Sequence, residues 1–530
     1  MDFKQRLRIL FYAFSFLFFI VILRLAWIQI VQHRFFLERS VEQRTRIINL
    51  SSNRGDILDR NSAILATSID TFSVFTQKKG FSWVARRLSS AEAEVIKNKQ
   101  PGDFSILKEK KRLYPKNNTA SKLIGFIGSD DQGLSGVELA WDKYLKGKVG
   151  KIVTEGDPEG RELYGALREI IPGEDGMNVT LTIDANIQHI AEREIEEQVK
   201  KYRALSGTLI VMDAKSGEIL ALACKPDFDP NNFAKFDRRL WHPGFLDPYE
   251  PGSTFKLITA ASGLEEKVIS PDSKLKAMNS LEIGGKVIEN SHSISWPGKE
   301  MSISFMLEQS VNTGAAQIGI KLGPERFYRR IREFGFGEAT GFGLEGESRG
   351  IVRRSENWYR PDIAMISFGQ SIAVTPMQML SAVSAFANHG KIVRPFLIKK
   401  IESGNGKYLK IFSDESRGQA VSGETAKEML KLMRNVVLKG SGRKAQMEHF
   451  TTGGKTGTAQ KAAPGGRGYL NGHYIASFIG IAPLSDPRIV ALVLVDDPKG
   501  TIWGETVCGP SFKNVVEYTL RYMNIKPDML

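Results

Sequence analysis

Glu250-Pro251-Gly252-Ser253-Thr254-Phe255-Lys256 runs straight into the apolar stretch Leu257-Ile258-Thr259-Ala260-Ala261. Pro251 and Gly252 mark a helix start, and a spacing of three residues puts the Ser253 hydroxyl and the Lys256 amine on one helix face. A serine hydroxyl becomes a good nucleophile only when a neighbouring base takes its proton, and a lysine whose pKa is lowered by its surroundings can do so. The free N–H groups of a helix start can also hold a developing oxyanion. S-x-x-K alone is compatible with an ordinary helix start, so the rest of the chain decides its meaning.

Two further patterns fit the pair. Ser310-Val311-Asn312 falls between the helical segments 303–309 and 314–322, and Lys455-Thr456-Gly457-Thr458 opens a strand after Gly453-Gly454. The order S-x-x-K, S-x-N, K-T-G is the signature of serine enzymes that form acyl intermediates with peptide-like amides. Each residue type has a chemical reason. Ser253 attacks a carbonyl, neutral Lys256 takes its proton, and Ser310 relays a proton to the leaving amine. Asn312 bonds the substrate amide. Lys455 supplies positive field that keeps Lys256 deprotonated and attracts an anionic substrate. Gly457 leaves room for a substrate strand, and Thr456 and Thr458 offer hydroxyls to a terminal carboxylate. The backbone N–H groups of Ser253 and Thr458 are the expected oxyanion hole.

The chain has 530 residues, 42% hydrophobic and 25% charged, which is the composition of a folded protein with a net charge of +14. Basic and acidic residues are interleaved, and no zinc-finger spacing, RNA-binding aromatic motif or basic heptad occurs. The charge suits a membrane or an anionic wall polymer rather than nucleic acid. Residues 9–31 are mostly apolar and uncharged apart from Arg24, long enough to span a bilayer, and follow Lys4, Arg6 and Arg8. The positive-inside rule then puts the N-terminus in the cytoplasm and about 500 residues outside it. Cys224 and Cys508 read as unpaired thiols. His292 and His473 lack metal-ligand spacing and read as structural or surface residues, so no metal and no cofactor are expected.

Beyond the anchor, residues 41–50 read as polar and extended, and Arg54 to Asn61, Ala63 to Ala66 and Phe72 to Phe75 as a charged turn with short strands. Residues 90–111 read as a solvated helix and loop. Asp184 caps a helix to about Tyr202. A hairpin at 207–223 is followed by a mostly helical stretch from 253 to 438. Strands at 451–460, 474–482 and 488–495 and a helix at 511–523 complete one sheet drawn from both ends of this module. Pro464 to Gly468 reads as a mobile flap beside the site.

With these residues in hand the chain resembles a class B penicillin-binding protein, a bitopic peptidoglycan DD-transpeptidase. The likeness includes Arg24-Leu25-Ala26-Trp27-Ile28-Gln29, Arg54 to Asn61, Gly133 to Glu138, Tyr249 to Lys256, Gly369 to Pro376 and the Lys455 strand. Residues 124–133 and Asp229-Pro230-Asn231-Asn232 are most similar to the division-specific type, penicillin-binding protein 3. Val311 stands where class A β-lactamases have Asp. The resemblance implies an α/β architecture: a cytoplasmic tail (1–8), a transmembrane helix (9–31), a β-rich pedestal (32–203) and a transpeptidase domain (204–525) with an antiparallel sheet, flanking helices and a helical subdomain. It implies cross-linking of stem peptides with loss of D-alanine, acylation by β-lactams, septal cell-wall synthesis in the cytoplasmic membrane, and partnership with a septal glycosyltransferase and other division proteins. An elongation or sporulation enzyme, a β-lactamase or membrane β-lactam sensor, and a non-catalytic division scaffold are the alternatives.

Overall fold

The computed structural model describes residues 2–50, 52–76, 82–99, 104–157, 163, 168–235, 237, 240, 244–404, 406–412, 416–463, 465 and 468–529. The chain forms two compact units, Met1–Asn53 with Gly147–Asp175, and Arg54–Lys146 with Gly176–Leu530.

In the first unit, helix α1 (Phe3–Ala26) continues as a wider π-helical turn over Trp27–Val31. Among the described residues this is the one helix long and apolar enough to cross a membrane. Residues 41–50, expected to be extended, instead finish a helix (His33–Arg44) before becoming strand (Thr45–Leu50). That strand pairs antiparallel with Gly150–Glu155, which in turn pairs with Glu169–Ile171.

The second unit holds two large sheets. The catalytic sheet has strands β1 (Ser206–Asp213), β2 (Ile219–Lys225), β3 (Gly453–Ala462), β4 (Tyr469–Ala482) and β5 (Ile489–Asp496), in the order β2-β1-β5-β4-β3. Every pairing is antiparallel. Strands β1, β2 and β5 are apolar on both faces because helices cover both. On one side Ile187, Ala191 and Ile195 of helix α2 (Ala185–Lys201) and Phe512, Val515 and Val516 of the C-terminal helix (Gly509–Tyr522) share a core with Leu209, Val211 and Val493. On the other, Ile210, Met212 and Leu492 join the core of the remaining helices. Asp184 caps α2 as expected, accepting from the Asn186 and Ile187 N–H groups.

The second sheet departs from the expectation. Ile64–Thr76 is one continuous strand, and Phe104–Leu113, read as part of a Lys-rich loop, pairs along its length. Lys108 is exposed and Lys110 half-buried in an ion pair with Asp70 of the neighbouring strand, so charge density hid a strand. Asn178–Leu181 of this sheet pairs with Ile398–Glu402, from within the stretch expected to be mostly helical. This sheet thus takes strands from both sides of residue 204, and α2 packs on the catalytic sheet. The charged turn at Arg54 is anchored in the interior. Its guanidinium is buried against Glu138 at 2.6 Å and Asp142 at 2.7 Å, and Arg112 reaches the same Glu138 at 2.7 Å.

Candidate active site

Ser253 lies in a 3-10 turn (Gly252–Phe255) that leads into helix α3 (Lys256–Glu265). The tight turn comes first because Gly252 takes φ +54°, a left-handed conformation that suits glycine. Lys256 then starts the α-helix with its side chain wholly buried. Ser310 and Asn312 flank the junction between helices α4 (Ile303–Glu308) and α5 (Asn312–Leu322). Ser310 itself has φ +55°, a costly conformation for a non-glycine residue. Lys455, Thr456, Gly457 and Thr458 stand on β3, the edge strand of the catalytic sheet.

All of these residues converge. Lys256 Nζ lies 3.1 Å from Ser253 Oγ, 3.2 Å from Ser310 Oγ, 2.7 Å from Asn312 Oδ1 and 2.5 Å from the Ser310 carbonyl oxygen. Lys455 Nζ lies 3.0 Å from the same Ser310 Oγ. Thr456 Oγ1 is 3.3 Å from Lys455 Nζ and 2.9 Å from Ser441 Oγ. The strained Ser310 thus sits between two amines, one of which also touches Ser253.

Neither amine has a carboxylate partner among the described residues. Burial pushes the Lys256 amine well below the ordinary lysine range, and the neighbouring charge of Lys455 adds to the effect. Burial alone brings Lys455 down to about 7. Desolvation of an unpaired amine favours its neutral form, which is the form able to accept a proton from a serine.

These groups open into a cleft of about 660 Å³. One wall is β3, where Thr456, Thr458 and Gln460 fall on one face; the opposite wall is Lys286 to His292 with Ser310 and Asn312. Gly457 proves necessary for a reason other than substrate clearance. A Cβ there would lie 2.3 Å from Ser477 Oγ, 3.0 Å from Thr254 Cγ2 and 3.2 Å from the Pro251 carbonyl oxygen. Its absence lets β3 pack against the nucleophile turn. Gly369 does the same from behind, since a Cβ there would meet the Gly252 carbonyl oxygen at 2.2 Å.

Several cleft residues escaped the sequence reading. Asn290 accepts from the Asn312 and Thr313 N–H groups and so fixes the start of α5. The Glu289 carbonyl accepts from Asn312 Nδ2 at 2.8 Å. His292, expected to be structural or superficial, lines the cleft and faces the Trp503 ring edge-on at 6.3 Å. Partial burial lowers the pKa of its imidazole, and the charges of Lys256 and Lys455 add to the effect. The motif spacing carries no sign of these groups, because they come from a short strand end (Lys286–Glu289) and the loop after it, which have no pattern of their own. His473 pairs with Asp497 at 3.0 Å, as a structural residue would. Cys224 and Cys508 are buried free thiols. The flap expected at 464–468 lies largely outside the described residues.

An antiparallel sheet with an edge strand facing a serine, a desolvated lysine one turn away and a second lysine across the cleft defines an acyl-serine enzyme of the penicillin-recognising class. Comparison with known proteins agrees. The family model for the penicillin-binding protein transpeptidase domain matches residues 207–517, and that for the penicillin-binding protein dimerisation domain matches residues 81–181. The chain is 33% identical to stage V sporulation protein D of Bacillus subtilis, an alignment spanning 96% of this chain and 84% of the relative. It is 29% identical to peptidoglycan D,D-transpeptidase FtsI of Escherichia coli, spanning 96% and 90%. Among solved structures, penicillin-binding protein 3 of Mycobacterium tuberculosis, complexed with aztreonam, superposes with a TM-score of 0.74 at 28% identity, covering 91% of this chain and 98% of that one. The chain belongs to the penicillin-binding protein transpeptidase family, and within it to the class B penicillin-binding proteins.

Proposed function

We propose that this class B transpeptidase cross-links peptidoglycan stem peptides through an acyl-enzyme on Ser253. The observation that carries the reading is the convergence of two buried, carboxylate-free lysines on Ser253 and Ser310. In the first half-reaction Lys256 takes the Ser253 proton as Oγ bonds to the penultimate D-alanine carbonyl. The negative charge developing on that oxygen is held by the Ser253 and Thr458 N–H groups. Collapse breaks the C–N bond, and the proton passes from Lys256 through Ser310 to the departing D-alanine amine. Lys455, Thr456 and Ser441 form the cationic, hydroxyl-bearing end of the cleft that suits the terminal carboxylate, and Asn312 suits the substrate amide. In the second half-reaction an amine of a neighbouring stem attacks the ester, loses its proton to Lys256 and regenerates Ser253. A β-lactam imitates the donor and stays attached.

The apolar α1 is the membrane anchor in this reading, and Lys4, Arg6 and Arg8 put the N-terminus in the cytoplasm and the catalytic sheet outside. Septal synthesis beside a glycosyltransferase and other division proteins is the proposed setting, supported by likeness to FtsI. The higher identity to a sporulation protein favours spore-wall synthesis as the second reading. Imaging a fluorescent fusion separates them: a mid-cell ring in growing cells supports division, whereas expression confined to sporulation contradicts it. The activity is tested with purified full-length protein, a donor ending in D-Ala-D-Ala and an amine acceptor. Release of D-alanine with formation of the amide product is expected, and absence of both refutes the assignment. A penicilloyl adduct that hydrolyses within seconds would favour a β-lactamase.

A further inference from the structure

Three residues before the nucleophile, Glu250 presents a carboxyl group that the mechanism above does not use. Its Oε1 accepts from the Ser371 N–H at 3.0 Å and faces the Tyr469 hydroxyl at 3.5 Å. Its Oε2 is buried and has no hydrogen-bond partner among the described residues. A vacant, desolvated carboxylate oxygen is expensive, and structures retain such a group where something else supplies the partner. Among the described residues, Lys286 is the charged side chain close enough to act on it, and that amine is turned to Met365 Sδ at 3.1 Å. Burial raises the Glu250 carboxyl above its ordinary range, against the pull of the Ser371 N–H, Tyr469 and Lys286.

The position of Glu250 along the cleft gives the vacancy a meaning. Thr456, near Lys455 and Ser441, marks the carboxylate end of the donor. Thr458 and Ser253 mark the scissile carbonyl, so the residues preceding the D-alanines extend toward Gln460. Thr456 and Gln460 are four residues apart on β3, roughly 13 Å at strand rise. Tyr469, which covers Glu250, pairs with Ala462 just beyond Gln460. Gly252, Gln370 and Gln460 line the cleft there, with Glu250 two residues before Gly252 and Ser371 next to Gln370 in the chain. Glu250 is therefore at the upstream end of the donor, away from the terminal carboxylate.

Cross-linking requires each stem to carry an amine besides its backbone, because the same population of stems serves as donor and acceptor. A donor therefore brings its own side-chain amine into this upstream region. We infer that Glu250, capped by Tyr469, is the specificity subsite for the side-chain ammonium of the donor stem, on the residue preceding the D-alanines. The inference rests on the transpeptidase reading above. Tyr469 turns aside, the ammonium takes the vacant Oε2, and Ser371 N–H continues to hold Oε1. A protonated Glu250 gives up its proton to water as the cation binds.

The test uses full-length protein in detergent and two synthetic donors ending in D-Ala-D-Ala. They are identical except that the side-chain amine of the preceding residue is free in one and acetylated in the other. The readout is kcat/KM for D-alanine release. The free-amine donor is expected to be preferred by about tenfold, the worth of one charge-assisted hydrogen bond to a buried partner. In E250Q the two donors should become equal through a loss confined to the free-amine donor. Stoichiometric labelling of E250Q by benzylpenicillin reports that its Ser253 site is intact. Equal rates for both donors on the wild-type protein overturn the subsite without recourse to any variant, and so does a preference that survives in E250Q. Release from neither donor would contradict the activity itself.

Discussion

Two places in this molecule bury positive charge completely, and they do so in opposite ways. Around Arg54 every cation has an answer: Glu138 bridges Arg54 and Arg112, and Asp142 adds a second carboxylate. Burial alone would pull the Arg54 guanidinium down, yet Glu138 and Asp142 together hold it above its ordinary value. Around Ser253 the two buried lysines have hydroxyls, an amide oxygen and carbonyls but no carboxylate, and both are pushed down. The first arrangement fixes a charge for structure and the second removes a charge for chemistry. A buried cation read in isolation would not tell these apart; its partners do.

The contrast can be broken from either side. The largest effect is expected from Lys256→Met, which deletes the base while keeping the volume. Acylation by a fluorescent penicillin, followed by stopped-flow or gel labelling, should slow by about 10³-fold, within the usual worth of a general base. The melting temperature should stay level or rise, since an unpaired buried amine is lost. Glu138→Ala should do the reverse. It strands the buried Arg112 guanidinium and leaves Arg54 with Asp142 alone, costs about 3–5 kcal/mol in chemical denaturation, and leaves the labelling rate of the folded fraction within a few fold. Gly457→Ala lies between these, because its new Cβ would press on Ser477 and the nucleophile turn. Displacing β3 should cut acylation by up to about 100-fold, and Ser477→Gly in the same chain should restore part of it.

The pH dependence sharpens the same contrast with a smaller effect. Lys455 titrates near 7 when folded and near the ordinary lysine value of 10.5 when unfolded. Between those values the unfolded chain holds a proton that the folded chain does not, so stability rises with pH across that window. Below about 7 both states are protonated and the burial penalty is felt in full. Denaturation midpoints of the wild type should therefore gain on those of Lys455→Met as pH is raised from 7 to 10. Removing Lys455 also lifts repulsion from Lys256, so the acid limb of the acylation rate should move to higher pH.

The sequence made the nucleophile, its base and the two supporting motifs readable because each is a short run held on one element. Ser253 and Lys256 share a turn, Ser310 and Asn312 a helix junction, and Lys455 to Thr458 a strand. What it hid was supplied by distant loops or by packing. Asn290, His292, Ser441 and Trp503 enter the site from segments whose local pattern says nothing. The role of Gly457 emerged only when Thr254 and Ser477 were found against it. In the fold, the pattern of apolar runs bounded by turns revealed the central strands of the catalytic sheet, which are buried on both faces. It failed for Phe104–Leu113, where Lys108, Lys110 and Lys111 sit on a strand stabilised mainly by its pairing with Ile64–Thr76. It failed again for Ile398–Glu402, whose partner Asn178–Leu181 is more than two hundred residues earlier.

The central claim is that Ser253 is the atom-bearing residue on which the acyl group is carried, made reactive by Lys256 at 3.1 Å. Intact-mass and peptide-mapping spectrometry after brief exposure to benzylpenicillin tests it most directly. One adduct retaining every atom of the opened antibiotic should appear on the peptide containing Ser253, and Ser253→Ala should carry none. An adduct on another residue, or labelling that persists in Ser253→Ala, would contradict the account.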